Sequence, residues 1–179
     1  MKRQIAGLLC IIMIFALTAC GGDEFANLTL DVPSIEVKSA SIDATGRLDT
    51  ATAANNKPND PLGNNYSPQV SWSAVDGATC YAIVMFDESA NWLHWIQTGI
   101  TETLLEQGAY TQESDYVGPY PPTGSGEHQY RIEVFALEQT PVMSVRKLNQ
   151  SNVYADLVSA LDEAGGIIAR GYVVGTYSN

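Results

Sequence analysis

The chain has 179 residues, 20 acidic against nine basic side chains, a formal net charge of −11, two histidines and three cysteines. So acidic a chain repels nucleic acid and anionic lipid surfaces at long range, which excludes function classes that rest on a basic patch. Its length suits a single domain with a real core.

Residues 1–19 carry Lys2 and Arg3 and then an apolar run from Ile5 to Ala19, too short to span a bilayer comfortably as a permanent helix, so they read as a secretory signal. The run Leu17-Thr18-Ala19-Cys20, followed by Gly21-Gly22, resembles a bacterial lipobox. Cys20 is then the lipidated first residue of the processed protein, carrying a palmitate-type acyl anchor; the blander reading is an ordinary signal peptide with an incidental cysteine. Loss of Lys2 and Arg3 with the leader takes two positive charges from a chain of net −11, leaving −13. Membrane contact is therefore expected through the acyl group, with the protein held extracytoplasmically on the cell membrane or outer membrane. With Cys10 removed and Cys20 acylated, Cys80 stands alone within CYAIVMF, where it reads as a small buried hydrophobe.

Residues 20–27 are small and polar, as a tether requires, and residues 28–179 form the folded domain. Leu28–Ile42 alternates as strands do, with an interruption at Pro33. Thr45–Pro68 is rich in Ala, Thr, Asn, Asp, Pro and Gly and predicts a long irregular loop, of the kind that is functional or packed on its own domain. Strands are expected at Gln69–Ser73, Cys80–Phe86, Leu93–Thr98 and Tyr130–Leu137. The strand at Cys80–Phe86 is apolar on both faces and therefore central. One helix is expected at Asn152–Ala164, presenting Val153, Leu157, Leu161 and Ala164, capped by Ser151 or Asn152 and stopped by Gly165-Gly166. A last strand is expected at Ile167–Tyr177. Short strands with one late helix predict a mainly β, sandwich-like domain.

Two stretches carry the chemistry: Asp87-Glu-Ser-Ala-Asn-Trp-Leu-His94-Trp95, and GPYPPTGSGEHQY at 118–130 with His128 and Tyr130. Both read as strand meeting loop, which places a carboxylate, two imidazoles and a phenol where a small anion pocket can form. The bland alternatives are packed core histidines, a rigid Pro121-Pro122 connection, and solvated charges at Glu88, Glu127 and Glu138.

In order along the chain, these features resemble the phosphatidylethanolamine-binding protein family, whose bacterial members are often called Raf kinase inhibitor-like proteins. Asn65-Tyr66-Ser67-Pro68-Gln69-Val70-Ser71-Trp72 is similar to the family's N-x-SPxLxW, His94-Trp95 to its H-W, GPYPPTGSGEHQY to its G-x-PP-x-G-x-H-x-Y, and Phe135-Ala136-Leu137 to the segment that follows. Where the family has D-P-D, this chain has Asp87-Glu88-Ser89. The resemblance implies an antiparallel β-sandwich with a small C-terminal helix and long loops, and a pocket formed by Asp87, His94, Gly118, Pro119, His128 and Tyr130. Within it Asp87 accepts a hydrogen bond from a histidine and fixes its tautomer. The implied function is non-catalytic binding of a small anion of the phosphate or phospholipid head-group type, with no cofactor, metal or catalytic residue. An alternative is a protein partner, with the same face acting as a protease or kinase inhibitor. An enzyme is a weaker reading, because G-x-S-x-G, HExxH and a glycine-rich phosphate loop are all missing from the sequence. Trp72 to Tyr81 alone also suits a fibronectin type III-like adhesive domain, which would hold His94 and His128 far apart.

Overall fold

The computed structural model describes residues 30–56, 60–143 and 147–179. The leader, Cys20, the tether and Leu28 lie outside the described residues. Seven strands form two sheets. β1 (Val37–Lys38), β2 (Val70–Trp72) and β5 (Leu104–Leu105) make the smaller sheet, in the order β1-β2-β5. β3 (Cys80–Asp87), β4 (Trp92–Ile100), β6 (His128–Leu137) and β7 (Ile167–Tyr177) make the larger, in the order β4-β3-β6-β7, and all the pairs are antiparallel. The mainly β sandwich expected from the sequence is the observed architecture.

The alternation of β3 explains the layers. Tyr81, Ile83 and Met85 project toward the smaller sheet and join Trp72, Trp95, Ile132 and Val134 in one core. Cys80, Ala82, Val84 and Phe86 project the other way, onto the single described helix, α1 (Tyr154–Gly165). All eight residues of β3 are buried, as its two apolar faces require. Cys80 is a free, buried thiol.

The helix begins later than its sequence signals suggest. Asn152 does not cap it: its backbone adopts φ 55°, its N–H donates to Asn91 O, and its side-chain oxygen accepts from Asn91 Nδ2. Val153 occupies the N-cap without a side-chain bond, and the buried face is Tyr154, Leu157, Val158, Leu161 and Gly165. Gly166, at φ 66°, ends the helix by donating to Asp162 O, as the Gly-Gly pair implied.

β1 is far shorter than the alternation of Leu28–Ile42 suggests, because residues 33–35 instead bond alongside β7: Arg170 N–H donates to Pro33 O and Ile35 N–H to Arg170 O. The segment Thr45–Pro68 is irregular but packed, with a 3-10 turn at Thr50–Thr52 and buried Leu48, Ala53, Ala54, Asn65 and Ser67.

Between β6 and α1 lies a buried carboxylate. Glu133 accepts from the Tyr154 hydroxyl at 2.6 Å and sits 3.6 Å from the Arg170 guanidinium. Burial raises its pKa above the ordinary 4.5, against the opposing pull of the Tyr154 bond and the arginines. A carboxyl with a raised native pKa holds its proton longer in the folded state than in the unfolded one, so ionising it costs stability as pH rises past 4.5. We expect the unfolding free energy of wild type, measured by urea titration across pH, to fall relative to Glu133→Gln as pH rises through this range. A constant difference between the two proteins would refute this.

Candidate functional site

The end of β3, the start of β4 and the start of β6 meet at one edge of the larger sheet. Asp87, the last residue of β3, stands opposite Tyr130 in register, and His128 lies two residues before Tyr130 on the same face. His94 reaches that face by an irregularity in β4. Phe86 pairs with Leu93 and Met85 with Trp95, so His94 is an extra residue in a β-bulge. Leu93 therefore packs on the helix side and Trp95 between the sheets, although they are two residues apart.

Asp87 is 3% exposed and its carboxylate is fully engaged. One oxygen accepts from the backbone N–H groups of Ser89 at 2.9 Å and Ala90 at 3.1 Å, and the other accepts from His128 Nδ1 at 2.6 Å. This is the expected carboxylate–histidine pair, and His128 is the histidine. Its Nε2 lies 2.9 Å from Ser125 Oγ. Ser89 stands where the family pattern has a carboxylate, and its hydroxyl oxygen accepts from Gln129 N–H. Glu88 is not a solvated charge: it pairs with Arg131, whose guanidinium lies over the Tyr172 ring.

His94 donates through Nδ1 to Val117 O at 2.7 Å, while Val117 N–H donates to His94 O. Burial lowers the pKa of His94, outweighing the opposing pull of Val117 O and the Asp87 charge, and the ring is accordingly neutral near pH 7. The ring packs edge-on against Tyr130 at 5.3 Å and Tyr120 at 5.6 Å between centroids. Tyr130 is completely buried, and its hydroxyl has no hydrogen-bond partner among the described residues. Burial first, and the Asp87 charge second, push its pKa far up, so it remains a phenol.

A cavity of about 500 Å³ opens in front of these residues, lined by Ala90, Trp92, His94, Tyr120, Pro122, Thr123 and Tyr130. Of the residues expected from the sequence, His94 and Tyr130 line it. Asp87 and His128 lie behind them, hydrogen-bonded to each other. Gly118 and Pro119 face away, toward the backbone of residues 52–54: Pro119 O accepts from Ala54 N–H, and Gly118 N–H donates to Asn65 Oδ1. Asn65, at φ 55°, also donates to Thr111 O and Tyr116 O, tying the 111–118 loop in place. Trp92 and Tyr120 are lining residues that the sequence reading did not single out, although both sit inside the two stretches it quoted. Among the described residues, no cluster of three or more His, Cys, Asp or Glu side chains suits a metal ion.

A Cβ at position 118 would run into the backbone of Thr52 and Ala53. Gly118→Ala should therefore destabilise the fold by about 3 kcal/mol or more, read from chemical denaturation. A loss below about 1 kcal/mol would show that the two segments are not held this closely.

The sequence profile described as phosphatidylethanolamine-binding protein matches residues 38–178. Among curated proteins, one from Mycobacterium tuberculosis named "Putative lipoprotein LppC" is 29% identical over 152 residues, covering 70% of this chain and 75% of its own. A UPF0098 protein of Aquifex aeolicus is 29% identical over 135 residues, covering 64% and 75%. Among solved structures, Escherichia coli YbcL, described as a new member of the mammalian PEBP family, superposes with a TM-score of 0.65 at 24% identity, covering 82% of this chain and 99% of its own. A Chlamydia trachomatis homologue, CT736, superposes with a TM-score of 0.60 at 19% identity, covering 82% and 98%.

Proposed function

Since the chain belongs to the phosphatidylethanolamine-binding protein family, we propose that it is a non-catalytic binding protein whose cavity holds a small anionic group of the phosphate, carboxylate or phospholipid head-group type. The observation that carries this reading is the Tyr130 hydroxyl, a buried donor with no partner among the described residues, in the wall of a cavity of about 500 Å³. Leaving such a group unsatisfied costs about 1–3 kcal/mol, and a ligand oxygen at this position removes the cost. The nearby Asp87 charge does not forbid an anion, because its three hydrogen bonds spread that charge into β6 and the turn after β3. His94 completes the reading. An incoming anion favours its protonated form, and the neutral ring then becomes a second positive partner.

One arrangement favours a hydrolase. Ser125 Oγ, His128 and Asp87 follow one another at 2.9 and 2.6 Å, the connectivity of a nucleophile, base and orienting acid. The polarity is wrong for that task. The Ser125 O–H donates to Pro122 O at 2.7 Å, so its oxygen faces Nε2 as an acceptor, whereas general-base activation needs the serine proton on the histidine. Binding is the better reading of the same geometry.

We also propose that Cys20 carries an acyl anchor that holds the domain on the extracytoplasmic side of a membrane. Support comes from the Leu17–Cys20 pattern and from the lipoprotein name of the mycobacterial relative. Cys20→Ser should move the protein from the membrane to the soluble fraction of a producing bacterium; retention in the membrane would count against the anchor.

For the cavity, Tyr130→Phe should weaken binding of phosphate or acetate by about 10- to 100-fold, measured by shifts of the histidine ring resonances on titration. Its thermal stability should equal or exceed that of wild type, since the lost hydroxyl made no bond. Unchanged affinity in Tyr130→Phe would sink the reading.

A further inference from the structure

The cavity is larger and more apolar than a bare anion requires. Its polar residues, His94 and Tyr130, are almost wholly buried and form the floor, while Ala90, Trp92, Tyr120 and Pro122 rise to the mouth. A volume near 500 Å³ falls in the range of small-molecule sites, about 300–1,000 Å³, and far exceeds what one phosphate or carboxylate fills.

The two large rings of the mouth are fixed by a residue outside the cavity. Asn149 Oδ1 accepts from Trp92 Nε1 at 3.2 Å and from the Tyr120 hydroxyl at 3.1 Å. An indole N–H is a donor only, so the oxygen of the amide, not its nitrogen, must face Trp92. Asn149 is itself held: its N–H donates to Leu93 O, Leu93 N–H donates to Gln150 O, and Ser151 bridges to Trp92. This short segment lies along the first residues of β4 and places one carboxamide over both rings. Asn149 has φ 59°, a left-handed conformation that asparagine tolerates and most residues do not.

We propose that Asn149 sets the selectivity of the site by holding Trp92 and Tyr120 as walls of an apolar chamber, and that the chamber receives the body of an amphiphilic monoanion whose head lies at Tyr130. This rests on the binding function proposed above and specifies its ligand as one acidic group on a compact apolar body. Asn149 is a positioning residue: it touches the walls and not the ligand.

The test is calorimetric titration of wild type and variants at pH 6.5 with acetate, hexanoate and phenylacetate, which share a head and a charge. Wild type should bind hexanoate and phenylacetate at least about 30-fold more tightly than acetate, below the limit set by full burial of the added carbons at about 0.8 kcal/mol each. Asn149→Gly keeps the left-handed backbone and removes the acceptor, so its preference should fall below about threefold with thermal stability little changed. Asn149→Asp retains an acceptor oxygen and should restore most of the preference, even if its charge weakens all three anions alike. Tyr130→Phe should weaken all three and leave the preference intact. Equal affinity for the three probes in wild type, or a preference that survives Asn149→Gly, overturns the inference while leaving anion binding in place. If neither these carboxylates nor inorganic phosphate binds wild type, the binding function and the inference fall together.

Discussion

The buried carboxylate of Asp87 is the interaction on which the arrangement of the site depends. It closes β3, accepts two N–H groups of the turn that leads into β4, and accepts the His128 ring at the start of β6. Three elements distant in sequence are thereby fixed to one group. A carboxylate so buried is tolerable because each oxygen is engaged by donors, and for that reason it is also unforgiving: removing His128 would leave the charge short of a partner. With β3, β4 and β6 held in this way, the bulge at His94 and the register of Tyr130 against Asp87 bring imidazole and phenol to the same cavity.

Stability and function separate around this group. The Asp87–His128 pair is complete without a ligand, whereas the Tyr130 hydroxyl, one register position away, is not. Interiors satisfy nearly all their polar groups, so an unsatisfied phenol beside a fully satisfied carboxylate marks where the fold has left a bond to be made. Ser125 belongs to the satisfied side: its donation to Pro122 O rigidifies the loop before β6 and keeps its oxygen on His128.

Much of this could be read from the residues. β3 was legible because an unbroken apolar run admits only a strand covered on both faces, and β7 because Ile167–Tyr177 follows a Gly-Gly stop. Asp87, His94, His128 and Tyr130 were legible as a group through the resemblance to the family. Other features were not. β5 is two residues long and carries no periodicity. The N-terminal strand shortened because pairing beside β7 is a long-range choice that local alternation does not encode. The β-bulge cannot be seen without the partner strand, and it alone explains why His94 and Trp95 share a side. Gly118 resembled a ligand contact, but a glycine required for the close approach of two backbones has the same letter as one required for a ligand. Asn149 carried no signal at all, because its role exists only once the 149–152 segment lies along β4.

The most direct test of the central claim is a crystal structure of the protein grown with phenylacetate. The account predicts a carboxylate oxygen about 2.7 Å from the Tyr130 hydroxyl, with the phenyl ring between that floor and the walls of Trp92 and Tyr120. A ligand bound elsewhere, with the Tyr130 hydroxyl still making no bond to it, would contradict the account.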